Sequence, residues 1–162
     1  MRRTSAERLV GNALLAAGCA VAAAALAAAE EEQVPPAGTI QADAAELHWM
    51  PAPPSMPPGT RIAVLEGDPA SDGLFSLRLR VPAGAKLPPH WHPRDERVTV
   101  LSGRVGVGFG DRFDQSRLRY FGAGGYYVNP AQSRHFVYFP EASEVQITGI
   151  GPWHVHPLRQ KP

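Results

Sequence analysis

From residue 61 onward the chain alternates apolar and polar side chains with the period of two that belongs to strands. Positions 74–81 show it most cleanly: Leu77, Leu79 and Val81 fall on one face, Ser76, Arg78 and Arg80 on the other. Residues 61–65, 97–101, 104–109, 126–129, 135–139 and 144–150 form further short β-rich runs. Between them lie turn formers, including Asp68-Pro69, Asp72-Gly73, Ser102-Gly103 and the polar stretch GDRFDQSRL. Ser102-Gly103 predicts a hairpin that pairs the strands on either side of it. Many short strands, frequent turns and no convincing helix outside the N-terminal run indicate an all-β sandwich or barrel. No internal repeat is evident.

Two segments before residue 61 break this pattern. MRRTSAER is basic, residues 9–29 form an Ala-rich apolar run, and Ala27-Ala28-Ala29 offers an A-x-A cleavage site before Glu30. We read 1–29 as a signal peptide, which predicts a periplasmic or secreted protein with no stable membrane association after cleavage. The run is near spanning length, so membrane anchoring through the N-terminal segment is the alternative, and a lipidated Cys19 in LAAGC is a further one. Weakly hydrophobic alanine and the internal Asn12 favour cleavage. Residues 30–60 are rich in Pro and Ala and read as an extended arm, because proline lacks a ladder N–H and fixes φ. Leu47-His48-Trp49-Met50 interrupts the arm and is the part able to dock. Residues 61–162 remain as one β-domain.

Composition narrows the function. The 162 residues suffice for one domain and a tail, with 44% hydrophobic content for a core and 17 Pro and 16 Gly for turns. The first eight residues carry +2 and the remainder −1, so the body lacks the basic footprint of a nucleic-acid binder. Cys19 is the only cysteine. Cleavage after Ala29 leaves a mature chain without one, which removes disulfides, thiolate ligands and cysteine nucleophiles together.

The candidate chemistry lies in GAKLPPHWHPRDERVTVLSG, residues 84–103. In a strand His90 and His92 share a face and Trp91 points away. Glu96 follows just beyond, and His135 arrives from a later strand. Three imidazoles and a carboxylate form an N₃O ligand set that suits one divalent transition metal: Fe, Mn, Ni, Cu or Zn. Continuing the period from His135 places Val137 and Phe139 on its face, with Phe136 and Tyr138 opposite. Val98, Val100 and Phe139 then ring the ligands, giving a small apolar pocket for a small-molecule ligand. Trp91, Phe136 and Tyr138 face outward, to pack under other elements or to build a homodimer. A second pair, His154 and His156, has no companion carboxylate and reads, like His48, as strand or tail.

These residues carry a resemblance. Gly84, His90, His92, Glu96 and Gly103 fit the first motif of the cupin superfamily, G(X)5HXH(X)3-4E(X)6G, at every position. The second motif, G(X)5PXG(X)2H(X)3N, is matched at Gly124, Pro130 and His135, with Gln132 and Phe139 where the family has Gly and Asn. The resemblance implies a single jelly-roll β-barrel with His90, His92, Glu96 and His135 as metal ligands pointing inward. It also implies Fe(II) or Mn(II) dioxygenase-type oxidoreductase chemistry, or alternatively a non-catalytic binding or sensor module. Glu96 is then both ligand and the one candidate catalytic proton acceptor, since no other inward acid is obvious.

Overall fold

The computed structural model describes residues 34–158. The signal-peptide reading of 1–29 and Cys19 lie outside them. Two units separate, Met1–Thr39 and Ile40–Pro162. In the described part of the first, the Pro36 carbonyl accepts from the Thr39 amide and hydroxyl, closing a turn. Among the described residues no helix is long and apolar enough to cross a membrane.

The second unit is all-β. Its strands are β1 Met50–Pro51, β2 Arg61–Glu66, β3 Gly73–Val81, β4 Lys86–Trp91, β5 Glu96–Ser102, β6 Arg104–Phe109, β7 Arg119–Gly122, β8 Tyr126–Asn129, β9 His135–Tyr138, β10 Ser143–Gly151 and β11 His156–Pro157. They form two antiparallel sheets, in the orders β1-β2-β3-β10-β5-β8 and β11-β4-β9-β6-β7. Both sheets contribute to one core: Leu77, Leu79, Val98, Val100, Val145 and Ile147 from the first, Leu87, Val105, Val107 and Val137 from the second. This is the jelly-roll architecture that the strand pattern and the motif imply.

Alternation decides which face each strand buries. In β3 Phe75, Leu77, Leu79 and Val81 are buried, while the polar set faces out and pairs across the ladder with β10. Ser76 meets Thr148 at 2.9 Å, Arg78 meets Gln146 at 3.2 Å and Arg80 meets Glu144 at 2.9 Å. Each is a register partner, the arrangement in which cross-strand pairs stabilise a sheet. Part of the Pro-rich segment joins the same sheet. β1 pairs with β2, Arg61 donates to the Trp49 carbonyl, and the Arg80 guanidinium lies 4.0 Å over the Trp49 ring.

One expectation is overturned. β5 and β6 do not form a hairpin: β5 pairs with β10 and β8, β6 with β9 and β7. The Ser102-Gly103 turn instead carries the chain from one sheet to the other. Gly103 takes φ +75°, and a Cβ there would meet the Ala142 carbonyl and Ser143. Ser143 Oγ accepts from the Arg104 amide and can donate to its carbonyl, fastening the corner. Turn chemistry alone does not distinguish these outcomes, because both need a residue with φ > 0.

Candidate metal centre

The HxH segment owes its aim to a bulge. β4 pairs with β9 through Leu87↔Val137 and His90↔His135, so three steps of β4 oppose two of β9. Pro88 and Pro89 fill the extra length, where missing N–H donors do least harm. The bulge resets the alternation: Leu87 faces the core, and beyond it His90 and His92 do so as well. Trp91 points to the other face and stacks on His156 at 4.2 Å and 14°.

The turn that delivers His135 is bolted to the first motif. Gln132 donates its backbone N–H to the His92 carbonyl at 2.8 Å, and Ala131 donates to Asp95 Oδ1 at 2.9 Å. Gln132 stands at the family's glycine position and adopts φ +61°, the left-handed conformation that glycine would take without strain. The tight turn therefore forms despite the substitution. At the other departure, Phe139 is buried and makes the cavity wall apolar.

His90, His92, Glu96 and His135 are 3%, 1%, 6% and 0% exposed, and the fold brings all four together. One nitrogen of each histidine lies within 4.8 Å of the others. Each ring is oriented by a backbone carbonyl at Nδ1: Pro88 at 2.7 Å for His90, His154 at 2.8 Å for His92, Ser133 at 3.0 Å for His135. A carbonyl only accepts, so each Nδ1 carries the proton, and in the neutral ring Nε2 presents a lone pair. Carbonyl-braced imidazoles of this kind are the usual support of metal-ligating histidines.

Glu96 lies beside two of these nitrogens, with Oε1 3.4 Å from His92 Nε2 and Oε2 3.7 Å from His135 Nε2. Neither contact has hydrogen-bond geometry, and both Nε2 atoms are buried without a partner. Lone pairs facing a carboxylate call for a positive charge between them. A divalent cation fits that deficit, and the three histidines could hold one. Burial and the neighbouring His135 lower His90 to about 4, and His135 is lowered mainly by burial, so both stay neutral near pH 7. His92 moves the other way: burial lowers it, but the charge of Glu96 and the brace to His154 together raise it. Burial pushes Glu96 up, yet His92, His135 and Asn129 outweigh it and hold the carboxyl down at about 2.

The sequence reading missed three contributors. Asn129 is buried and donates from Nδ2 to Glu96 Oε2 at 2.8 Å. The C-terminal Trp153 stacks on the His92 ring at 5.1 Å and 18°, and with Val155 it lines the cavity beside the ligands. Tyr127 lines the same cavity, and burial with the nearby Glu96 charge keeps its hydroxyl protonated. His154 and His156 stay out of the histidine cluster; His154 contributes only its carbonyl. His48 is exposed and also stays out. The cavity measures about 30 Å³ and is otherwise walled by Leu79, Leu87, Val98 and Val137 among other apolar groups.

A jelly roll with buried, inward histidines from β4, the loop after it and β9, beside a glutamate from β5, defines a cupin. The chain belongs to the ChrR Cupin-like domain family, which matches residues 37–154. A germin-like protein 3-1 of Oryza sativa subsp. japonica is 36% identical over 83 residues, covering 49% of this chain and 37% of that protein. The chain thus spans little more than a third of that relative's length. Among solved structures, the polyketide cyclase RemF from Streptomyces resistomycificus aligns with TM-score 0.61 and 18% identity over 76% of this chain and 87% of its own. An acetylacetone dioxygenase from Acinetobacter johnsonii aligns with TM-score 0.56 and 17% identity over 76% and 80%. At these identities the structures share the fold.

Proposed function

We propose that the protein is an exported cupin that holds one divalent transition metal on His90, His92, His135 and Glu96 and acts as a dioxygenase-type oxidoreductase on a small molecule. The observation that carries the metal reading is the convergence of three carbonyl-braced imidazoles, two of them with bare buried Nε2 atoms that lie beside the Glu96 carboxylate. A metal bound there supplies Lewis acidity and, for Fe or Mn, access to O₂ chemistry. The chain's own groups do the rest. Glu96 keeps its negative charge at neutral pH, Tyr127 offers a protonated hydroxyl, and the apolar wall excludes bulk water. The shared fold with an acetylacetone dioxygenase supports the reaction class by analogy. The basic start and apolar run of residues 1–29 support export.

A second reading is a non-catalytic metal or small-molecule binding module, and the size of the cavity favours its metal-binding form. About 30 Å³ accommodates about two waters, whereas substrate pockets usually measure roughly 300–1,000 Å³. One experiment separates the two. The mature chain is reconstituted anaerobically with Fe, Mn, Ni or Zn, its metal content is measured, and O₂ uptake is followed with β-diketones, catechols and flavonols. Metal-dependent O₂ consumption with product supports the enzyme. Stoichiometric metal without turnover supports the binding module, and no metal uptake refutes the metal site itself.

A further inference from the structure

We propose that Asn129 is a positioning residue that fixes Glu96 as a one-oxygen ligand, with Oε2 clamped by the amide and Oε1 left to the cation. The inference rests on the metal reading above and assigns a task within that site. Glu96 and Asn129 are register partners where β5 pairs with β8, so their side chains emerge opposite each other on the same face. Both are buried, and Asn129 Nδ2 donates to Glu96 Oε2 at 2.8 Å. A carboxylate only accepts, so the amide must turn its NH₂ toward it. That orientation leaves Asn129 Oδ1 buried with no partner, a costly arrangement. The fold tolerates a bare amide oxygen in exchange for the contact to Glu96.

The lever is stiff. Pro130 follows Asn129 and confines its backbone to extended conformations. Beyond it the Pro130 carbonyl accepts from the Ser133 amide at 3.0 Å and hydroxyl at 2.6 Å, and the chain then enters His135. Asn129 and His135 therefore flank one rigid turn, and the position of the Glu96 carboxylate is tied to that of His135. The two oxygens of Glu96 differ in their donors: Oε2 holds the Asn129 N–H and lies 3.7 Å from the bare Nε2 of His135, whereas Oε1 lies 3.4 Å from the bare Nε2 of His92 and accepts no hydrogen bond from an amide. A carboxylate anchored through one oxygen presents the other as a single ligand atom. Without the anchor it is free to rotate and to engage the cation with both oxygens or with neither.

The test loads metal-free protein anaerobically with Co(II) and records the visible spectrum and the affinity by competition. Wild type is compared with Asn129→Leu, which keeps the shape without a donor, and Asn129→Ser, too short to reach Oε2. Expected are an altered Co(II) spectrum in both variants and a loss of affinity of ~10–100-fold in Asn129→Leu, as for other groups that orient metal ligands. A wild-type spectrum and affinity in the folded variants overturn the inference, whatever happens to their melting temperatures. If Asn129→Leu does not fold, the Asn129→Ser spectrum decides alone. Wild-type protein that takes up no Co(II) overturns the metal reading itself, and this assignment with it.

Discussion

Backbone carbonyls, not acidic side chains, orient the three imidazoles, so the second layer of this centre is largely invisible in residue identities. His90, His92, Glu96 and His135 were legible because ligand chemistry restricts residue type and a strand's period restricts spacing. Asn129 was not, since a lone asparagine before a proline reads equally well as the end of a strand. The brace from the His154 carbonyl could not have been read, because any residue supplies a carbonyl. Substitutions should separate these layers. His92→Ala should cost more metal affinity than the ~10–100-fold typical of an orienting group, and Glu96→Gln should weaken binding while preserving the fold. His156→Ala should leave metal affinity unchanged, because its ring stacks on Trp91 outside the cluster. Metal titration of the three purified variants checks all of this. An emptied site in His156→Ala would mean the ligands are misassigned.

At the scale of elements, period-two patterning placed most strands within a residue or two, because one face of each is buried. It failed where geometry rather than burial decides. The residues around Ser102-Gly103 look like a hairpin, yet the turn is a corner between sheets, a distinction set by partners more than 20 residues away, such as Ser143. β7 leaves little trace in the pattern because Arg119–Gly122 is short and only half-buried. The bulge at Pro88-Pro89 also breaks simple alternation. Two glycine-type positions give a paired prediction. Gly103→Ala adds a Cβ against Ala142 and Ser143 at positive φ and should lower unfolding stability by about 2–3 kcal/mol. Gln132→Gly relieves a strained left-handed residue and should raise stability by up to about 1 kcal/mol. Urea unfolding measures both, and a neutral Gly103→Ala would contradict the corner as described.

At the scale of the whole molecule, the charges of the centre tie both stability and metal binding to pH. His92 is raised above its ordinary value, so the stability of its pairing with Glu96 is present below about pH 6.5 and fades as pH rises through the higher folded value. His90 is depressed to about 4, so its contribution is present above 6.5 and is lost as pH falls toward 4. A proton on His92 competes with the metal, so binding should tighten as pH rises through the raised range in which His92 titrates. Calorimetric titration in buffers of different ionisation enthalpy reads that proton directly; pH-independent binding without proton release would contradict the ligand set. The most direct test of the central claim is X-ray diffraction from crystals of the metal-loaded protein, measured on both sides of the metal's absorption edge. One anomalous peak is expected, bounded by the Nε2 atoms of His90, His92 and His135 and by Glu96 Oε1. No peak there, or a peak at His154 and His156 instead, would contradict that claim.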